Sequence, residues 1–121
     1  PTLEAEGVWV ELGEGARIRV ARAGNPANRR KLSKLLERHR ATLRSRNLPD
    51  DILERVTIET MAETILLGWD GINEDGKPLP YTPENALRLL TTYRDFRDQV
   101  AALAADMALF KGESEEAASK N

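Results

Sequence analysis

Apolar residues change period along this chain, and the changes mark its elements. Val8-Trp9-Val10-Glu11-Leu12 alternates and is rich in strand formers. Gly13-Glu14-Gly15 supplies a turn. Ala16 to Arg22 alternates again, with Ile18 and Val20 on one face and Arg17, Arg19 on the other. The pattern predicts a β-hairpin, which must lie on something apolar because two strands alone are marginal in water. Gly24-Asn25-Pro26 predicts a helix start, with Asn25 as cap and Pro26 where its missing N–H costs nothing. From there to about Ser45, Leu32, Leu35, Leu36, His39 and Leu43 fall in one arc of an amphipathic helix.

Asn47-Leu48-Pro49-Asp50 breaks that pattern, and Asp50 or Asp51 can cap a second helix. Its apolar residues, from Ile52 through Met61 to Leu67, surround most of its circumference, which predicts a central, buried helix stopped by Gly68. Residues 69–82 read as the longest irregular stretch, with Asp75-Gly76 marking a small hairpin between Ile72 and Leu79. Thr82-Pro83-Glu84 repeats the cap-then-proline start and opens a short third helix. Thr92 with Asp95 offers a cap for a fourth. That helix places Tyr93, Phe96, Val100, Leu103, Met107 and Phe110 at steps of three and four, an a/d seam. Residues 112–121 carry no large apolar side chain and read as a flexible polar tail. The expected fold is therefore mainly α: one domain over 1–111, an N-terminal β-hairpin packed on a bundle of about four helices.

Composition narrows the chemistry. The 121 residues hold no Cys and one His, which removes disulfides, thiolate zinc sites and cysteine nucleophiles. The acidic start is not a secretory signal, and the longest apolar run, Val100 to Ala105, is far short of a membrane span, so no membrane partner is expected. His39 sits within the apolar arc and reads as a core histidine. Asp50-Asp51, Glu74-Asp75 and Glu115-Glu116 lie at caps, turns or the tail. Counting back from Gly76, calcium-loop positions would be Gly71, Asn73 and Asp75, and the first lacks a ligand oxygen. No phosphate-cradling loop or nucleophile elbow is present. No enzyme activity, metal or cofactor is expected.

Charge is unevenly placed. Between Arg29 and Arg46, eight basic residues stand against Glu37 alone, a charge of +7; with a net charge of −2, the remainder carries −9. The exposed candidates are Arg29, Arg30, Lys34, Arg38 and Arg44. They read either as a solvated face attracted to the chain's own acidic half or as a surface for an acidic partner. A small helical nucleic-acid-binding protein is the alternative reading, but that helix lacks aromatics and the acidic remainder would repel DNA, so nucleic acid is not the expected partner.

The order of signals also resembles a specific family. An acidic opening, VWVELGEGARIRVARAGNP, precedes a basic helix. Ala62 to Ile72 (AETILLGWDGI) follows, and then Asp75 to Asn85 (DGKPLPYTPEN). Over roughly residues 7–111 this is similar to the tail assembly chaperones of long, non-contractile-tailed bacteriophages. Its most specific part is Trp69-Asp70-Gly71 followed by Pro-x-Pro-Tyr-Thr-Pro-Glu at 78–84. The resemblance implies a non-enzymatic protein of the host bacterial cytoplasm, absent from the mature virion. It implies tape measure protein and tail-tube protein as partners, and self-association. Within that frame the seam from Tyr93 to Phe110 serves either as internal core or as a partner surface, and Trp69 and Tyr81 read as anchors of the long loop.

Overall fold

A computed structural model describes residues 6–40 and 50–110. The chain forms β1 (Val8–Gly13), β2 (Ala16–Val20), α1 (Pro26–Arg38), α2 (Asp50–Thr64), β3 (Leu66–Asp70), β4 (Asn73–Glu74), β5 (Lys77–Pro78), α3 (Pro83–Thr92) and α4 (Arg94–Ala104). The large sheet is antiparallel in the order β1-β2-β3, and β4 pairs with β5 alone.

This overturns the mainly α expectation. The hairpin does not sit on a helical bundle as a separate ribbon. It gains a third strand from the segment expected to finish the second helix, and the fold is mixed α and β. Helix α2 stops at Thr64, ahead of Gly68, and residues 66–70 pair with β2: Arg17 opposite Asp70, Ile18 opposite Trp69, Val20 opposite Leu66. The run Ile65-Leu66-Leu67 satisfies a buried helix or a buried strand equally, since periodicity cannot separate them in a short apolar run. The unpaired edge of β2 decides between the two, because a buried strand edge without hydrogen bonds is costly. Gly68 is therefore strand interior, lying under Arg19 and the indole of Trp9 on the outer face.

Both tight turns follow local chemistry. Glu14 and Gly15 have φ of 55° and 81°, and Asp75 and Gly76 have 52° and 78°, the paired positive values that two-residue hairpin loops require. The hairpin expected between Ile72 and Leu79 forms, closed by Leu79 N–H donating to the Ile72 carbonyl at 2.8 Å. Gly71 is constrained more sharply. Its φ is +72°, and a Cβ there would run into the carbonyl oxygen of Gly15, so strand β3 and the β1–β2 turn meet only because this residue has no side chain.

The inner sheet face and three helices share one core: Ile18, Val20, Leu66 and Trp69 meet Ile58, Met61 and Ala62 of α2, Leu89 and Leu90 of α3, and Val100 and Ala104 of α4. Helix α1 packs along α2. Its start is as the sequence implies: Asn25 accepts from Asn28 N–H at 2.9 Å. Asn25 is itself buried and also donates to the carbonyls of Arg22 (2.8 Å) and Thr64 (3.2 Å), tying the start of α1 to the end of α2. Thr82 caps α3 in the same way, accepting from Asn85 N–H at 3.0 Å.

Other boundaries differ. Helix α1 ends at Arg38, and His39 is its half-buried C-terminal cap, not a core histidine. The expected continuation to Ser45, with Leu43 and Arg44, lies outside the described residues, as does the expected tail at 112–121. Helix α4 is capped by Tyr93 without a side-chain bond, so the Thr92 cap does not form. It ends at Ala104, and Ala105-Asp106 separates it from a further helical turn at 107–110. Among the described residues no helix is long and apolar enough to cross a membrane.

Candidate functional site

The segment carrying the most specific sequence signal folds back on β3. Trp69, on β3 and nearly buried, donates its indole N–H to the Leu79 carbonyl at 2.8 Å. Tyr81 stands edge-on to that indole, with ring centroids 4.9 Å apart and planes at 85°, and donates its hydroxyl to the Leu66 carbonyl at 2.8 Å. Each aromatic supplies apolar area and one hydrogen bond, the combination that suits a half-buried anchor. Burial raises the Tyr81 phenol above its usual pKa, against a smaller opposing pull from Arg19. The two rings clamp residues 72–81 onto the end of β3.

Sequence reasoning missed the cluster that ties the same segment to α3 and α4. Glu74 accepts two bonds from the Arg88 guanidinium, at 2.7 and 2.8 Å, and a third from the Tyr93 hydroxyl at 2.7 Å. Three donated bonds from two residues favour the anion, so the Glu74 carboxyl is lowered from 4.5 to about 2, by Arg88 first and Tyr93 second. The same bond raises the Tyr93 phenol. These residues are 14 and 19 positions apart, so no local pattern could reveal them. Beside them Leu12, Ile72, Leu89 and Phe96 line an open apolar cavity of about 420 Å³.

The a/d seam is divided by burial. Val100 and Phe110 are fully buried, and Phe96 and Leu103 pack partly against the core. Tyr93, at its N-terminal end, and Met107, one step before Phe110, are 42% and 55% exposed on the surface. The structure therefore does not bring the six residues together as one exposed stripe.

The basic residues of α1 are presented outward. Arg29, Arg30, Lys34 and Arg38 are exposed, while Lys31 turns inward to meet Glu63 of α2 at 2.6 Å. On the other flank of α2, two adjoining cavities of about 420 and 350 Å³ share Glu59 and Leu87. They form a groove between α2 and α3, floored by Ile58, Ala62 and Leu87 and walled by Asp51, Glu54, Glu59 and Glu63. The sequence spreads the apolar residues of this helix around most of its circumference and does not foretell an acidic groove on it. Among the described residues no group of three or more His, Asp or Glu could hold a metal ion.

Residues 23–121, from just after the N-terminal hairpin, match the model of the YdaY prophage protein family. The chain belongs to that family. It is thus a phage-derived protein, and the phage origin expected from the sequence holds at that level. No curated protein and no solved structure matches the chain. The YdaY match begins within the β2–α1 connection, so it spans α1, the acidic groove, the aromatic clamp and the Glu74 cluster together.

Proposed function

We propose that this YdaY-family protein is a tail assembly chaperone, which binds and solubilises the tape measure protein and promotes assembly of the tail tube. The observation that carries the reading is the segment 62–85. Its Trp-Asp-Gly and Pro-x-Pro-Tyr-Thr-Pro-Glu pieces are those that resemble the chaperone family, and here they converge as one built unit through Trp69, Tyr81 and Thr82. Prophage origin supports it.

The gene neighbourhood offers the first check. A tube-protein gene before this one and a gene for a very long helical protein after it are expected. The biochemical check is co-production of that long protein with this chain. It should stay in the soluble fraction and co-purify. Tight, steeply salt-dependent binding of duplex DNA that disappears on changing Arg30, Lys34 and Arg38 to Glu would instead favour nucleic-acid binding by α1.

A further inference from the structure

We propose that the groove between α2 and α3 receives the cationic face of α1 from a second copy of this chain. The two surfaces are complementary in charge. Of the residues lining the groove, Asp51, Glu54, Glu59 and Glu63 are acidic and Arg55 alone is basic. Glu54 already pairs with Arg97 at 3.6 Å and Glu63 with Lys31 at 2.6 Å, so Asp51 and Glu59 are the carboxylates the groove offers to a partner. The exposed face of α1 carries Arg29, Arg30, Lys34 and Arg38.

They also match in length and in apolar content. Arg30, Lys34 and Arg38 recur every four residues, a line about 12 Å long at a helical rise of about 1.5 Å per residue. Asp51 and Glu59 are separated by the same eight positions on α2 and span the same length, with Arg55 midway between them, so Arg30 and Arg38 are the cations that meet the two carboxylates. Leu87 is 39% exposed on the groove floor, and Leu32 is 37% exposed among the cations of α1, so each surface offers an apolar contact within a charged rim.

The chain cannot make this contact with itself. Leu35 is buried, and the Lys31–Glu63 ion pair fixes α1 on α2 with its cations turned to solvent. Each copy thus holds one cationic helix face and one acidic groove, the arrangement that closes into a reciprocal pair or a ring when copies meet. The surface is distinct from the Trp69–Tyr81 clamp, and the pairing stands or falls independently of whether the client is a tape measure protein.

The test is the solution mass of the purified full chain, with a complementary charge exchange. At low salt the wild-type chain should run larger than a monomer. Its dissociation constant should weaken about tenfold or more at about 1 M salt, where the screening length falls to about 3 Å. Arg30→Glu with Arg38→Glu should give a monomer, and so should Asp51→Lys with Glu59→Lys. Mixed in equal amounts, the two variants should reassemble, because each then meets an inverted surface. Leu87→Ser, at an exposed position, should weaken assembly without changing the circular-dichroism melt, which keeps the test readable if a double variant unfolds. A monomeric wild type at low salt, an assembly indifferent to both charge exchanges, or folded variants that do not reassemble on mixing would overturn the proposal.

Discussion

Glu74 and Arg88 meet end-on, through both terminal guanidinium nitrogens and two hydrogen bonds of 2.7 and 2.8 Å, joining the small β4–β5 hairpin to helix α3. The paired geometry suits the planar fork of arginine and would be lost with lysine. Tyr93, at the break between α3 and α4, completes the junction from the other side.

The junction makes stability depend on acid. The Glu74 carboxyl is lowered from 4.5 to about 2 in the folded chain. A depressed carboxylate contributes stability fully above its unfolded value and loses it as pH falls toward the folded one. The difference in urea midpoint between wild type and Glu74→Gln should therefore be constant above pH 5 or so and shrink between 4.5 and about 2. A difference that does not change across that window would show that the carboxylate is not the contributing form.

Trp69→Phe keeps most of the ring and removes the N–H that serves the Leu79 carbonyl. Tyr81→Phe does the same to the Leu66 carbonyl. Each should cost about 1–3 kcal/mol in urea denaturation, because a partly buried acceptor is left unserved. As the rings touch, the double variant should depart from additivity by about 0.5 kcal/mol or more.

Gly71→Ala should destabilise more than Gly76→Ala, although both glycines have positive φ. At Gly76 the new methyl meets open space and only the backbone preference is lost, about 1 kcal/mol. At Gly71 it also strikes the carbonyl of Gly15, so the loss should exceed about 2 kcal/mol. Equal midpoints for the two variants would contradict the close approach of β3 to the β1–β2 turn.

What the sequence made legible was local. Asn25 and Thr82 cap where their side chains meet an N–H three residues ahead, and Asp75-Gly76 turns because of its own backbone preferences. Leu66–Asp70 was not legible as a strand, because its pairing partner lies some fifty residues back at Arg17–Val20. The Glu74–Arg88–Tyr93 junction and the acidic groove depend in the same way on the packing of separate elements. The seam at 93–110 was legible as apolar spacing, but spacing could not tell that Ala105-Asp106 would interrupt it.

The seam can be divided by truncation. Val100→Ala and Phe110→Ala remove fully buried groups and should cost about 1–2 and 3–5 kcal/mol respectively. Met107→Ala, more than half exposed, should stay within about 0.5 kcal/mol of wild type. Thermal or urea unfolding of the three variants checks the order. A folded, fully stable Phe110→Ala would place that ring outside the core.

The most direct measurement of the chaperone account is the soluble fraction of the neighbouring long helical protein, produced with and without this chain. The account predicts that the long protein aggregates alone, and that in the presence of this chain it is recovered in solution as a complex with it. A long protein that is equally soluble in both cases, or equally aggregated in both, with no complex formed, would contradict the chaperone reading.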